Sequence, residues 1–396
     1  MFAPLSPATR TRYGVAEILV TLLVAGLLVV AYWIDAQWIS RHVTLLNLWP
    51  PRDAEAWSAR ARVVLVLLAA LVVLGLRPAL RFAVSKGSLA GLKRSALPAL
   101  LAIVASVVIA EVVVGRMRAE ALNGRAVYQQ RGIPHPRYGW IWQPSSSITE
   151  QALGRDIHWA FDREGYRVEK ERDEPDPERP TILFTGESIA LGLGLDYAET
   201  YPALIAARRG VQCVNVAANA YGSDQAHLRL VDAMPRFRHL LATVTLFVPV
   251  QLGRNLRDDK PRLVLGPSGG LELVPPASDL FSRLRLRRLF RDELPYIGNG
   301  AIARTMALTS AILRETSIQT RARGATPLFV IPSNGPKRPF AEHPEAWILR
   351  ELFVRQGLPF ILVDIPADQL LKDAHPGPRG DETIAEAILA ALPPGP

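Results

Sequence analysis

A single cysteine, Cys213, stands in this chain of 396 residues, which excludes an internal disulfide. An oxidising compartment is therefore permitted but not indicated. Histidines number only 7, and His135, His158 and His343 have no partners at metal-ligand spacing, so neither a metal nor another cofactor is expected. No internal repeat and no nucleic-acid motif is visible. Acidic residues are the scarcer charge, 37 against 46 Lys and Arg, which leaves +9 at pH 7. Much of that excess flanks apolar runs, where basic side chains meet anionic lipid headgroups, so it does not imply a nucleic-acid partner. The cluster Arg283-Leu-Arg-Leu-Arg-Arg288 reads as the solvated face of a helix, with a membrane surface or an anionic polymer as the alternative contact.

Charge is missing altogether from three stretches: Ile18 to Ile34, Val63 to Leu76 and Ala96 to Ala110. These account for a 49% hydrophobic composition with a mean hydropathy of +0.13, high for a purely soluble protein. A spanning helix needs about 20 mostly apolar residues. The first run reaches that length back across Glu17 to Val15, and the third by passing Glu111 to Val114. The second must take in either Trp57 to Arg62 or the Arg77-Pro78 region. Three such runs so close together argue against buried helices of a soluble domain. Arg10 and Arg12 could begin a cleaved signal peptide, but Asp35-Ala-Gln-Trp38 is a poor cleavage site, and an uncleaved anchor is expected.

Loop charge sets the expected orientation. Arg10 and Arg12 precede the first span, and Arg77, Arg81, Lys86, Lys93 and Arg94 lie between the second and third. The loop after the first span mixes Arg41, Arg52, Arg60 and Arg62 with Asp35, Asp53 and Glu55. Arg116, Arg118 and Arg125 weaken the contrast. The balance places the N-terminus inside a cytoplasmic membrane and everything after Val114 outside.

Three regions follow: residues 1–115 with about three spans, a connecting segment over 116–178, and an α/β domain over 179–396. The charged, Pro-rich stretch Glu169 to Pro180 reads as a loop. Beyond it, short apolar runs alternate with helical patterns. The runs are Thr181 to Phe184, Val211 to Val216, Val244 to Val250, Pro327 to Pro332 and Pro359 to Val363. Helices are expected near 200–209, 224–238, 300–323, 344–356 and 380–391, with an insertion over 256–298. That alternation predicts a parallel sheet covered on both faces, joined by right-handed crossovers.

Ligands of such open sheets sit beyond the carboxyl ends of the strands. The rule selects Gly186-Glu-Ser188, Asn219-Ala-Tyr-Gly-Ser-Asp224, Gln251-Leu-Gly-Arg-Asn255 and Asp373-Ala-His-Pro376. A serine, a glycine, an asparagine and an Asp/His pair thus share one rim. Singly, each has a plainer reading: a Gly-x-Ser turn, a turn glycine, a structural asparagine, a helix boundary. Asp224 and Gln225 cap the following helix, on which His227 is structural.

In order and position these segments resemble the SGNH (GDSL-type) hydrolase family, over about residues 180–391. Phe184-Thr-Gly-Glu-Ser-Ile-Ala-Leu-Gly192 is similar to the family's first block, Asn215 to Gln225 to its second, and Asp373-Ala-His375 to its last. Phe161-Asp-Arg-Glu-Gly-Tyr-Arg167 resembles the lead-in of membrane-linked, cell-envelope members. Glu187 stands where the family usually has Asp. The third block, usually Gly-x-Asn-Asp, is absent, with Asn255 the nearest substitute. The resemblance implies a flavodoxin-like parallel sheet flanked by helices.

It also implies that Ser188 attacks an ester carbonyl, that His375 is base and then acid, and that Asp373 orients the imidazole. The N–H groups of Ser188 and Gly222, aided by Asn255, would hold the oxyanion. Two functions compete. One is a membrane-anchored serine esterase or acyl-transfer enzyme acting on O-acyl groups of an envelope carbohydrate or lipid. The other is a non-catalytic binding or assembly protein that kept the fold; a third reading is a membrane-embedded sensor whose outer domain binds a carbohydrate. Heavy use of Ala, Arg, Pro and Leu fits a GC-rich bacterial genome.

Overall fold

The computed structural model describes residues 7–43, 51–78, 112, 132–152, 155–279, 296–343 and 345–393. The third apolar run, apart from Val112, and the Arg283–Arg288 cluster lie outside these residues.

Two compact units are present. In the first, helix α1 spans Pro7–Trp33, α2 spans Ala36–His42 and α3 spans Pro51–Leu71, which continues as a π-helical turn over Val72–Leu76. Two helical segments are long and apolar enough to cross a membrane, Gly14–Trp33 and Ala54–Gly75. The second therefore gains its length through Trp57 to Arg62. Leu19, Leu22, Leu67 and Leu71 are all exposed, as they would not be in the core of a soluble protein. Glu17, the acid that interrupts the first run, accepts from Arg77 Nε at 2.7 Å. Pairing of this kind is what makes two charges tolerable in an apolar helix pair.

The second unit is built on an eight-stranded sheet. Its strands are β3 (Ser146–Ala152), β4 (Arg155–Phe161), β5 (Arg167–Val168), β6 (Thr181–Thr185), β7 (Gln212–Asn215), β8 (Leu240–Leu246), β11 (Thr326–Asn334) and β12 (Phe360–Ile365). Their order is β12-β11-β8-β6-β7-β5-β4-β3. The five strands β12, β11, β8, β6 and β7 are parallel, and β5, β4 and β3 extend the sheet antiparallel. Numbered along the chain, the parallel strands run 2-1-3-4-5, the flavodoxin-like order. Two hairpins stand apart: β1 (Gly132–His135) with β2 (Gly139–Trp142), and β9 (Arg262–Leu265) with β10 (Leu271–Val274). The second belongs to the expected insertion over 256–298.

Side-chain alternation builds the layers. Ile182 and Phe184 of β6 pack in one core with Ile205, Ile384 and Ile388 from the helices Tyr201–Arg209 and Pro378–Ala391. Leu183, between them, faces the other side and packs with Leu230 and Ala233 of helix Ser223–Ala233. Phe329 and Ile331 of β11 pack with Leu313 of helix Asn299–Ala322 and with Leu349 and Phe353.

Two boundaries differ from the sequence reading. Strand β8 begins at Leu240 and ends at Leu246, because a short helix, Val250–Asn255, starts directly behind Pro249. The connecting segment is not merely a connection: β3, β4 and β5 all join the sheet.

Candidate active site

Strand β6 delivers Ser188 through a tight turn. Gly186 has φ +149°, and a Cβ there would sit 2.9 Å from the Cβ atoms of both Ala190 and Leu246, so only glycine fits. Ser188 opens the helical turn Ser188–Leu191. As its first residue, its N–H has no partner within that turn. Glu187 caps the turn, its Oε1 accepting from Ile189 N at 3.0 Å. The far end is held by Arg167, the last residue of the lead-in segment. Its Nη1 donates to the carbonyls of Leu191 and Gly192 at 2.6 Å each, and its Nη2 to that of Leu195. The guanidinium lies 4.1 Å from the Trp159 ring centroid. Burial brings its pKa down to about 10, so it remains cationic at neutrality. The local sequence of this lead-in does not disclose its task. Its task is to fix the turn that carries the nucleophile.

His375 lies on the loop between β12 and helix Pro378–Ala391. Leu371 N donates to His375 O at 2.7 Å, Ala374 N to Leu371 O at 3.0 Å, and Asn334 Nδ2 to Ala374 O at 3.2 Å. Ala374 has φ +67°, a left-handed conformation that costs a non-glycine residue about 1–2 kcal/mol. That reversal brings Asp373 back onto a histidine only two residues away.

The result joins three expected residues. His375 Nε2 is 2.8 Å from Ser188 Oγ, and His375 Nδ1 is 3.1 Å from Asp373 Oδ2. The second contact is close but poorly aligned, since Nδ1 finds no well-directed hydrogen-bond acceptor. Asp373 Oδ1 also accepts from the His375 backbone N–H at 3.2 Å. Burial pushes the His375 pKa down, but the close Asp373 carboxylate and the charge of Glu187 outweigh it, and the net direction is up. Burial pushes Asp373 up, yet its hydrogen bond and attraction to His375 bring it below the ordinary carboxylate value.

A fourth group was not foreseen in this role. Glu187 Oε2 accepts from Ser188 Oγ at 2.6 Å and from Arg254 Nη1 at 3.2 Å. Burial opposes its charge, but Arg254, the Ser188 hydroxyl and His375 bring its pKa down on balance. Ser188 has one hydroxyl proton and two acceptors, Glu187 and His375, that compete for it.

The other side of the rim is arranged differently. Gly222 has an ordinary φ of −78°. It must still be glycine, because a Cβ would lie 2.5 Å from Asp224 Oδ1 and 2.6 Å from Asn255 Oδ1. Its N–H donates to Gln225 Oε1 at 3.1 Å. Asn255 Nδ2 donates to Ser223 Oγ at 2.7 Å and to Thr309 Oγ1 at 2.8 Å, and its Oδ1 accepts from Asp224 N at 3.3 Å. Asp224 in turn binds Lys260 Nζ at 2.6 Å, both side chains buried. Gly222 and Asn255 therefore support one another and the start of helix Ser223–Ala233, with their donors engaged inside the protein.

The remaining candidates are structural. His227 Nδ1 lies 2.8 Å from Thr316 Oγ1, and burial lowers its pKa to about 4. Cys213 is buried in β7 and pushed up to about 12, which leaves it an inert thiol. Among the described residues no group of His, Cys, Asp and Glu could hold a metal ion.

Neither a protein-family model nor a curated protein matches the chain. Similar solved structures include TesA, at 17% identity and a TM-score of 0.32, covering 54% of this chain and 98% of that one. An acetyl xylan esterase from the rumen bacterium Butyrivibrio proteoclasticus is similar at 11% identity and a TM-score of 0.33, over 55% of this chain and 64% of that one. A family two carbohydrate esterase from Clostridium thermocellum, in complex with cellohexaose, is similar at 12% identity and 0.32, over 55% and 65%. The functional reading rests on the site's own geometry.

Proposed function

We propose that the second unit is an SGNH-type serine hydrolase, acting by ester hydrolysis or acyl transfer on O-acyl groups of an envelope carbohydrate or lipid. The observation that carries this reading is the chain Ser188 Oγ, His375 Nε2, His375 Nδ1, Asp373 Oδ2, with steps of 2.8 Å and 3.1 Å at the carboxyl end of β6. A serine hydroxyl is a weak nucleophile until a base takes its proton, and a histidine oriented by a carboxylate is the base that does so near neutrality.

In this mechanism Ser188 Oγ bonds to the acyl carbon while its proton passes to His375 Nε2. The carbonyl π pair moves onto oxygen, forming an oxyanion that the Ser188 N–H meets. Collapse of the intermediate breaks the bond to the leaving alkoxide, which takes the proton from His375. Water, or an acceptor hydroxyl, then gives its proton to His375 and attacks the acyl-serine, and the reverse sequence frees Ser188.

The membrane half of the reading rests on the two apolar helices, on the third apolar run, Ala96 to Val114, expected as a further span, and on loop charge. The unit carrying Ser188 would lie on the outer side of a cytoplasmic membrane, where acylated surface polymers and lipids are within reach. A periplasm-active reporter fused at Pro177 should be active; activity only from a cytoplasm-active reporter there would mean two or four spans, or the reverse orientation.

The chemistry is tested with p-nitrophenyl acetate and a serine-directed phosphonate on the full chain in detergent. Wild type should hydrolyse the ester and carry the phosphonate on Ser188, and Ser188→Ala should lose both. Absence of any acyl hydrolysis or transfer, together with no label on Ser188, would leave the non-catalytic binding protein as the reading.

A further inference from the structure

If Ser188 is the nucleophile, the oxyanion it generates is short of donors. The Gly222 N–H is given to Gln225, and both Asn255 amide hydrogens are given to Ser223 and Thr309. The Ser188 N–H alone is a poor complement, since such sites use two or more donors aimed at the developing charge. The shortage is aggravated by Glu187, whose carboxylate touches Ser188 Oγ and would repel a second negative charge beside it.

One side chain answers both problems. Arg254 Nη1 bonds the Glu187 carboxylate at 3.2 Å and the Tyr221 carbonyl at 3.1 Å. It therefore stands between the nucleophile turn and the Gly222 loop, which is where the oxyanion must form. Its side chain is 21% exposed, so it borders the solvent from which a substrate would enter. A guanidinium carries five N–H donors in a fixed plane, and Nη1 is the only nitrogen of Arg254 engaged by these two bonds. One nitrogen can hold Glu187 while the others stay available to a substrate carbonyl. Arg254 comes from the helix behind β8 and Ser188 from the turn behind β6, the two strands that flank the switch point of the sheet.

We infer that Arg254 is the oxyanion donor of this site, in the position that Asn255 vacates by turning inward. This inference rests on the proposed hydrolase reading. It predicts a catalytic residue whose loss is felt on the rate of acylation and little on ground-state binding.

The test uses the full chain in detergent with p-nitrophenyl acetate and the same phosphonate. Arg254→Met should lower kcat roughly 10²-fold and leave KM within about threefold. Phosphonylation of Ser188 should slow in parallel, because charge also develops on the phosphoryl oxygen. A folded Arg254→Met variant that keeps kcat within about threefold of wild type overturns the inference. A double-mutant cycle with Glu187→Gln separates a direct donor from a mere counter-charge. If Arg254 acts only by neutralising Glu187, the Arg254→Met loss should vanish in the Glu187→Gln background, which also overturns the inference; if Arg254 is a donor, the loss persists there. Thermal unfolding checks each variant. Should Arg254→Met fail to fold, Arg254→Gln, polar but shorter and uncharged, should lose at least roughly 10-fold in kcat, and retention of wild-type kcat would count against the inference. Wild type inert to both probes is a different failure: it removes the hydrolase reading and this inference with it.

Discussion

Ser188 and Asn255 sit behind neighbouring parallel strands, β6 and β8, and both are buried. Ser188 shares its hydroxyl with Glu187 and His375, two groups that can each take its proton. Asn255 spends its amide on two hydroxyls and its carbonyl on a backbone N–H, all of them fixed partners. A group with competing acceptors can exchange its bond for one to a substrate at small cost. A group whose donors and acceptor are satisfied by buried partners cannot, because breaking those bonds leaves unpaired polar atoms behind. Position on the catalytic rim is thus shared by the two residues, and the difference in task comes from their partners.

The comparison breaks most easily on the reactive side. His375→Ala should abolish ester hydrolysis to the same extent as Ser188→Ala, on the order of 10³-fold or more, since the two act as one unit and their losses do not add. Circular dichroism should remain that of the folded chain. If His375→Ala kept a tenth or so of the wild-type rate, His375 would not be the base, and Glu187 would become the leading alternative.

A smaller effect sharpens the same contrast through pH. The base form of His375 must be neutral, and its pKa is raised from 6.5, burial opposing and Asp373 and Glu187 prevailing. The acidic limb of kcat/KM should therefore lie above pH 6.5, with activity rising as pH increases through it. Asp373→Asn removes the negative charge 3.1 Å from His375 Nδ1, so the limb should move to lower pH while the plateau falls. A pH–rate profile of the two proteins checks this; a limb that stays in place would mean Asp373 does not sense the histidine charge. The linkage to stability has a definite sign. The folded chain holds this proton more tightly than the unfolded one. The contribution is present below about pH 6.5 and is lost as pH rises through the folded value.

Much of this arrangement was legible in the sequence. Five short apolar runs separated by helical patterns gave the parallel sheet, and the rule that ligands lie at strand carboxyl ends gave Ser188, Asp373 and His375. Strands β3 to β5 were not legible as part of that sheet. Ser146-Ser-Ile-Thr-Glu-Gln-Ala152 is an edge strand in which inward positions include Ser146 and Glu150 beside Ile148, so its alternation is faint. The tasks of Gly222 and Asn255 were hidden for another reason. Which donors are spent depends on Gln225 and on Thr309, the latter 54 positions from Asn255, and a local motif carries no information about such a partner. Arg254 was in plain view beside Asn255. The residue type expected at that block is asparagine, and the helix Val250–Asn255, which sets the direction of Arg254, is not marked in a segment that reads as the rim following a strand ending at Val250.

The smallest expected effect on chemistry belongs to Asn255, and it separates the two halves of the rim. In Asn255→Ala, Ser223 and Thr309 each lose a donor and the Asp224 N–H loses its acceptor, all in a buried setting. Unsatisfied buried groups cost about 1–3 kcal/mol each, partly recovered if water enters the space left behind. The variant should therefore unfold at a clearly lower denaturant concentration with an unchanged slope. Its kcat on p-nitrophenyl acetate, measured well below its melting transition, should stay within about threefold of wild type, far from the roughly 10²-fold loss that removal of an oxyanion donor brings. Thr309→Val offers the same reading from the opposite end of one hydrogen bond: it should reduce stability without touching any group near Ser188. If instead Asn255→Ala keeps its stability and loses about 10²-fold in kcat, the amide must turn toward the substrate during the reaction. The division between a reactive side and a supporting side of the rim would then fail, and Arg254 would be left as a counter-charge to Glu187.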